Sequence, residues 1–144
     1  PFPREAVAEL GADLSGFPSG DHFASWLGLC PDNRISGGKV LAAKTRHVKH
    51  RVAQALRLAA QSLSRSQSVL GGFFRRMRAK LGAPKAITAT AHKLARIVYH
   101  LVTTRQPYDE SRLAAADAAH RRHSESRLRA QARALGFQLV PVAE

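Results

Sequence analysis

The sequence predicts an all-α fold of several antiparallel helices, with a glycine-rich loop before the long central helix. Two observations support this class. Apolar residues make up 44% of the 144 residues, and in three consecutive stretches they recur at helical spacing. The segments between these stretches are short and rich in glycine, serine or proline. Such short loops favour antiparallel neighbours. A short strand is also expected at the C-terminus.

The N-terminal part predicts the end of one helix and one further short helix. Residues 4–10 resemble the last turns of a helix, and Gly11 is a suitable C-cap. Ser19 is a suitable N-cap for a helix that begins near Gly20, and Gly28 ends that helix. Its apolar face consists of Phe23, Trp26 and Leu27.

The next segment predicts a loop and then a long helix. Residues 32–44 are rich in turn formers, and we expect a loop there with room for a short strand over residues 39–42. Apolar residues then share one stripe over residues 47–67, which predicts a long helix. The stripe consists of Val48, Val52, Leu56, Ala59 and Leu63.

The clearest helical periodicity in the chain lies over residues 70–81. Gly82 ends this helix, and Pro84 suits the first position of the following one, which runs to residues 103–104. The first of these helices has the apolar face Leu70, Phe73, Phe74, Met77 and Leu81, and the second has Ile87, Ala91, Leu94, Val98 and Leu101.

A third long helical pattern, over residues 110–135, has too thin an apolar stripe to form a core of its own. Gly136 caps it, and the alternation from Phe137 to Pro141 indicates a short terminal strand. We therefore divide the chain into a helical core over residues 1–108 and a tail over residues 109–144. The tail helix is expected to pack against the core or against another chain.

The charge of the chain is extreme and unevenly distributed. The formal net charge is +13, and the 76 residues between Asp32 and Asp109 contain 16 Lys or Arg and no acid. A basic footprint of this kind is typical of proteins that bind nucleic acid. An anionic membrane is a weaker alternative, because the pattern lacks exposed aromatic anchors, and we expect no membrane partner.

Ser36 lies at the opening of this acid-free segment and is followed by Gly37 and Gly38. A serine that attacks a phosphodiester needs its proton removed and the developing charge neutralised. Nearby cations could meet the second need, and nothing in the sequence clearly meets the first. On spacing alone Ser36 also fits an ordinary turn residue. The candidate phosphate-binding residues around it are Arg34, Lys39, Lys44 and Arg46.

A second basic surface lies on the outer face of the helix over residues 70–81. A solvated face is the usual interpretation of such a run, but solvated faces normally mix charges of both signs. We therefore expect this surface to hold a nucleic-acid backbone. It consists of Arg75, Arg76, Arg78 and Lys80.

The sequence predicts no metal site or cofactor within this chain. The ten acids form no tight set, and the single cysteine, Cys30, excludes a cysteine-based zinc cluster and an internal disulfide. The histidine pairs His47/His50 and His120/His123 have helical spacing, but zinc is a weak interpretation without further ligands. With no signal peptide or long apolar run, we expect a cytoplasmic protein. The start at Pro1, without Met, suggests that the protein extends further at its N-terminus.

Several blocks of the sequence resemble the C-terminal domain of the "one-ten" insertion-sequence transposases, the bridge-RNA-guided recombinases. The first block is FPSGDHFASWLGLCPDNRISGGK, followed by ALRLAAQSL, then ITATAHKLAR and YHL. The Phe-Pro-Ser, Ala-Ser-Trp-x-Gly-Leu-x-Pro and Ser-Gly-Gly-Lys motifs occur in order and at the family's spacing. The resemblance covers residues 5–137.

The resemblance implies a role in DNA transposition by serine-mediated strand cleavage and exchange. The family's catalytic serine maps onto Ser36, which would form a covalent link to a DNA phosphate, with Gly37 and Gly38 shaping the loop. Magnesium would be held by acids of a separate N-terminal domain. The implied partners are DNA, a structured guide RNA, that N-terminal domain and further protomers of a homo-oligomer. The chain alone would then be inactive. The alternative is a non-catalytic nucleic-acid-binding or assembly domain.

Overall fold

The computed structural model describes residues 14–142, and these fall into two compact units that divide between Tyr108 and Asp109. Helices dominate, as predicted, but a two-stranded antiparallel sheet is also present. The predicted turn of helix over residues 4–10 and its cap at Gly11 lie outside the described residues. The elements of the first unit are α1 (Gly20–Trp26), β1 (Pro31–Ser36), β2 (Lys39–Thr45), α2 (Arg51–Ser62), a 3-10 turn (Leu63–Arg65), α3 (Val69–Leu81) and α4 (Ala83–Thr104).

Helix α4 is the centre of the first unit, because α1, α2 and α3 all pack against it. Small residues make this possible: Ala86, Ala91 and Ala95 of α4 are fully buried. The predicted apolar residues Ile87 and Leu94 are partly buried and contact the same core. The α4 helix ends at Thr104, as the sequence predicted. Its neighbours contribute the larger buried side chains, which are Phe23, Leu27, Val52 and Leu56.

Helix α1 begins as predicted, because the Ser19 side chain accepts a hydrogen bond from the backbone N–H of His22. Phe23 and Leu27 are fully buried, whereas Trp26, predicted on the same face, remains 43% exposed. The preceding turn is fixed by Phe17, whose ring meets that of Phe23 edge-on at 5.3 Å. The Phe-Pro-Ser motif therefore serves the packing and capping of α1.

Helix α2 is shorter than the predicted helix over residues 47–67. Residues 46–50 connect β2 to α2 without helical structure, and His50 has an extended backbone at the N-cap position. Since β2 continues to Thr45, the chain needs this extended connection to reach the helical layer. The predicted stripe is confirmed in part: Val52 and Leu56 are buried, but Ala53 and Ala60 complete the buried face of α2 in place of the half-buried Ala59.

Helix α3 corresponds to the clearest periodic pattern of the sequence, over residues 70–81, and α4 follows it as predicted. Leu70 and Phe74 of α3 are buried, although Leu81 is 43% exposed. Gly82 separates the two helices with a φ of 84°, a left-handed conformation that glycine adopts without strain. Pro84 lies in the first turn of α4, where its missing N–H leaves no helical hydrogen bond unmade.

The predicted loop over residues 32–44 is wrong, because this segment forms a β-hairpin. Strands β1 and β2 pair antiparallel, and the short strand expected over residues 39–42 is part of β2. Gly37 and Gly38 form the two-residue turn, with φ values of 57° and 76°. Two consecutive positive φ values are typical of the type I′ turn, which matches the twist of a hairpin. The two glycines expected to shape a loop thus form the turn of a hairpin.

The second unit contains one long helix, α5 (Glu110–Ala134), as predicted. The Asp109 side chain caps it by accepting a hydrogen bond from the N–H of Ser111 at 2.9 Å. No residue of α5 is buried, in agreement with its thin apolar stripe. The predicted C-terminal strand is wrong: residues 137–142 form no strand. A strand needs a partner for its backbone groups, and the described residues pair only β1 with β2.

Gly28 joins α1 to the hairpin, and we predict that Gly28→Ala lowers the free energy of unfolding by about 2–3 kcal/mol. Its φ is 68°, and an added Cβ would lie 2.8 Å from Cγ2 of Val48 and 3.1 Å from the carbonyl oxygen of Arg46. Urea denaturation followed by circular dichroism measures the change. Gly16→Ala is the matched control, because an added Cβ there meets nothing within 4 Å. Equal stabilities of the two variants would contradict this role of Gly28.

His92 on α4 should make the stability of the first unit depend on pH. Burial lowers the pKa of His92, and this effect outweighs the opposing attraction of Asp21, whose Oδ1 lies 3.8 Å from the His92 Nε2. Below the ordinary histidine value of 6.5 the unfolded chain then binds more protons than the folded one. Stability is therefore complete above that value and falls as the pH drops through the lowered pKa.

The measurement is the melting temperature as a function of pH for the wild type, His92→Gln and the control His47→Gln. We expect the melting temperature of the His92→Gln variant to fall less at acidic pH than that of the wild type. The His47→Gln variant should show the same fall in melting temperature at acidic pH as the wild type, because His47 is exposed. Superimposable curves for the wild type and His92→Gln would rule out the contribution of His92.

Candidate nucleic-acid interface

Ser36 is the last residue of β1, and the two-glycine turn places it directly opposite Lys39. All residues from Pro31 to Leu41 are exposed, so the Ser36 side chain is accessible. Residues that face each other across an antiparallel ladder have Cβ atoms about 4.5–5.5 Å apart. The hairpin therefore holds a hydroxyl and an ammonium group side by side at an exposed tip.

Strand geometry gathers three of the four predicted cations around Ser36 on one face of the hairpin. Alternate residues of β1 share a face, so Arg34 lies with Ser36. Cross-strand partners also share a face, which adds Lys39, opposite Ser36, and Lys44, opposite Asp32. We call this the serine face. It consists of Asp32, Arg34, Ser36, Lys39, Ala42 and Lys44.

These cations lie at different distances from Ser36 along the strands. At about 3.3 Å per residue, Arg34 lies about 7 Å from Ser36, whereas the Asp32–Lys44 rung lies about 13 Å away. A phosphate at Ser36 is thus within reach of Lys39 and Arg34, and Lys44 faces the acid Asp32. None of these three cations forms an ion pair of 4.0 Å or less with a carboxylate of residues 14–142.

Arg46 occupies a different position from the other predicted phosphate ligands. Its Nη2 donates hydrogen bonds to the backbone oxygen of Ser25 at 3.1 Å and to the Ser25 hydroxyl at 3.3 Å. It follows the end of β2, so these bonds tie the base of the hairpin to α1. In the structure Arg46 therefore helps to hold the hairpin in position through its hydrogen bonds to Ser25.

The basic surface of α3 is separate from the serine face. The hairpin makes no extensive contact with α3 within the described residues. Arg75, Arg78 and Lys80 are exposed and Arg76 is half-buried. Arg75 donates a hydrogen bond from Nη1 to the backbone oxygen of Ser66 at 2.6 Å, which also fixes the start of α3. The two predicted cationic surfaces therefore form two distinct regions.

The described residues place no base beside Ser36. The nearest carboxylate on the serine face is Asp32, four residues along the strand. His50, one of the histidines considered for zinc, instead contacts the Trp26 ring at a tilt of 40°, with ring centroids 4.2 Å apart. Within residues 14–142 no cluster of three or more His, Cys, Asp or Glu side chains could hold a metal ion. The described residues therefore do not fit a magnesium site.

Cys30, at the start of the hairpin, does not add a nucleophile to the site. Burial, together with the negative charge of Asp21, raises the pKa of its thiol, and Arg46 opposes this only in part. A raised thiol pKa disfavours the thiolate, which is the reactive form. Cys30 is therefore best understood as a packing residue beside the core.

A groove of about 890 Å³ between the base of the hairpin and helices α3 and α4 escaped the sequence analysis. Apolar side chains such as Leu29, Phe73 and Leu81 line it, and we call the basic side chains of α4 that also line it its basic rim. The residues that line it are far apart in the sequence, so no local pattern indicated it. The basic rim consists of Lys85, Lys93 and Arg96, and His92 also lines the groove.

Contacts within this groove keep two of these cations in place. The Lys93 ammonium lies 4.3 Å from the centroid of the Phe73 ring, a cation–π contact between α4 and α3. Arg96 pairs with Asp21 at 3.3 Å, which connects α4 to α1. These contacts hold the basic rim of the groove in place. The groove is also lined by Pro31, Ala43 and Thr45, which lie on the face of the hairpin opposite to the serine face.

No helix within the described residues is long and apolar enough to cross a membrane. Comparison with solved structures found no match.

Comparison with known proteins found similarity between part of the chain and transposases. Residues 5–75 match the model of the transposase IS116/IS110/IS902 family. A protein of Sinorhizobium fredii described as a transposase, y4pF/y4sB, is 37% identical over 105 residues. The aligned region covers 66% of this chain and 26% of that relative, so the chain spans about a quarter of the length of the curated relative it matches. The matched segment includes α1, the hairpin and α2, so this part of the chain is similar to a transposase domain of the IS116/IS110/IS902 family.

Proposed function

We propose that this chain takes part in DNA transposition and that Ser36 is the nucleophile that attacks a DNA phosphate. The observation that carries the proposal is the register of the hairpin, which sets Ser36 opposite Lys39 and on the same face as Arg34. Similarity to a transposase family makes a phosphodiester the natural target. A hydroxyl beside two cations at an exposed tip suits attack on a large polyanion.

The chemistry follows from this arrangement. The Ser36 oxygen forms a bond to phosphorus, the bond from phosphorus to one sugar oxygen breaks, and the strand end leaves as an alcohol. The DNA remains linked to the protein through a phosphoserine ester. Negative charge grows on the phosphate oxygens in the transition state, where Lys39 and Arg34 would stabilise it. The hydroxyl proton passes to a base outside the described residues.

The remaining partners are proposed from the resemblance to bridge-RNA-guided recombinases. A separate acid-rich domain would bind magnesium, since the described residues offer no such cluster. A structured guide RNA and further protomers would complete the assembly, and the exposed cations of α3 offer a second surface for a nucleic-acid backbone. The curated relative extends well beyond the region that aligns with this chain.

The alternative is a nucleic-acid clamp without catalysis, in which Ser36 only ends a strand. The lack of a base on the serine face near Ser36 favours this alternative. Both hypotheses predict DNA binding by the hairpin, and they differ in whether the Ser36 oxygen becomes bonded to phosphorus.

Substitution of Ser36 separates the two. In the transposase that carries this chain, we expect Ser36→Ala to lower strand exchange by at least about a thousandfold, because loss of a nucleophile removes its whole pathway. DNA affinity should change less than about twofold, because Ser36 adds no charge to the binding surface. Strand exchange is measured by product formation on gels, and the covalent link by mass spectrometry of the peptide that contains Ser36.

Ser126→Ala, on the exposed surface of α5, is the control and should retain activity. If Ser36→Ala recombined DNA at the wild-type rate, the catalytic hypothesis would be abandoned and the clamp would remain.

The cations of the serine face should determine the salt dependence of DNA binding. Each phosphate contact releases counterions and contributes about 0.9 to the slope of log affinity against log salt concentration. We expect Arg34→Ala and Lys39→Ala each to reduce the slope by about 1. Fluorescence anisotropy over a salt series measures it.

Arg34→Lys is the matched control, because it keeps the charge and should keep the slope. An unchanged slope in both alanine variants would show that DNA is bound elsewhere on the chain.

A further inference from the structure

The face of the hairpin opposite to the serine face is apolar near its tip. Ile35 pairs with Val40 across the ladder, and further down the same face lie the pairs Asn33–Ala43 and Pro31–Thr45. Ile35 is 64% exposed and Val40 is 58% exposed. The hairpin therefore has a cationic side and an apolar side.

Leu41 extends this apolar tip. The register shifts between Arg34 and Ile35, so Leu41 has no partner in the ladder and forms a β-bulge. Its side chain is 69% exposed. Bulges increase the local twist and redirect side chains, and they are frequent next to functional sites. We call Ile35, Val40 and Leu41 the apolar tip.

Exposure of this cluster has no explanation in the packing of the described residues. Single exposed apolar residues are common, and Leu58 on α2, which is 61% exposed, is an example. Three at neighbouring positions of a hairpin whose strands bury no side chain leave a local concentration of apolar side chains in water. Such a surface indicates a binding partner.

The surrounding charges indicate which kind of partner. Arg34 and Lys39 are the chain neighbours of Ile35 and Val40 on the serine face, and the basic rim of the groove lies at the base of the same hairpin. A partner that meets both features is a polyanion that also offers apolar surface. DNA fits, because its phosphates are charged and its stacked bases are not.

Shape supports the same partner. The major groove of B-DNA is about 12 Å wide and admits a two-stranded β-ribbon, whose strands are about 4.8 Å apart. A ribbon in a groove is contacted on both sides, by the backbone and by the bases. A flat protein surface would cover the apolar side and leave the serine face in solvent.

We propose that the hairpin enters a DNA groove tip first and that the apolar tip inserts against a base step, which it partly unstacks, while the serine face contacts the adjacent backbone. The proposal rests on the proposed function and specifies how its substrate is held. Architectural DNA-binding proteins insert Leu, Ile and similar side chains as wedges between base steps from the minor groove.

Insertion would also provide selectivity. Pyrimidine–purine steps unstack most easily, so the apolar tip should favour a TA or CA step next to the attacked phosphate. The kink would hold the backbone at the tip of the hairpin, where Ser36 is located.

The test uses the whole 144-residue chain and a short duplex with the fluorescent adenine analogue 2-aminopurine at a TA step. Its fluorescence rises when the base unstacks, and anisotropy of a terminal dye reports binding independently. The variant carries Ile35→Ser, Val40→Ser and Leu41→Ser together, and Leu41→Ser alone is a milder variant. Leu58→Ser is the matched control for loss of an exposed apolar side chain.

We expect the wild type and Leu58→Ser to raise the 2-aminopurine signal several-fold at saturation. The triple variant should still bind, with affinity reduced several-fold, and should give little rise; Leu41→Ser should be intermediate. Circular dichroism checks that the helices of each variant are intact.

Binding by the wild type without a rise in signal would overturn the insertion and leave the proposed function standing. An undiminished rise in the triple variant would also overturn it. Absence of any binding would refute the proposed function and the insertion together.

Discussion

The close contact between α1 and α4 is the interaction on which the rest of the first unit depends. An added Cβ on Gly20 would lie 3.4 Å from Cα of Arg96, so the two helices meet almost backbone to backbone at this point. Ala24 on one helix and Ala95 on the other are fully buried. Interiors are packed so densely that even one additional methyl group is felt. Small residues at this crossing therefore fix the position of α1.

The position of the hairpin is determined by its attachment to α1. Gly28 turns the chain out of the helix in a left-handed conformation, and Arg46 returns to donate hydrogen bonds to Ser25. Both ends of the hairpin are thus held at the C-terminal end of the same helix. Beyond these points its backbone ladder and its two-glycine turn determine where Ser36 lies, because its strands bury no side chain in the core. The candidate site is therefore set mainly by backbone geometry.

Local signals in the sequence were sufficient for most of the helices. Ser19 as a cap, Gly82 as a helix end and the burial of Leu70 and Phe74 follow from periodicity and capping, which are properties of neighbouring residues. The hairpin was missed because its strands are exposed on both faces and do not alternate cleanly. The two-residue Gly37–Gly38 connection was its real signal. The Arg46–Ser25 contact and the groove join residues far apart in sequence, which no local pattern reveals.

The bulge at Leu41 gives the two strands of the hairpin unequal tolerance to changes in length. Side chains of a strand alternate between the two faces of the hairpin. Loss or gain of one residue in β1 would therefore move every β1 side chain on one side of that position to the opposite face. In β2, loss of Leu41 would restore a regular ladder and leave Lys39 and Ala42 opposite their present partners. Among relatives of this chain, β1 should therefore keep a constant length, and variation by one residue should be confined to the bulge.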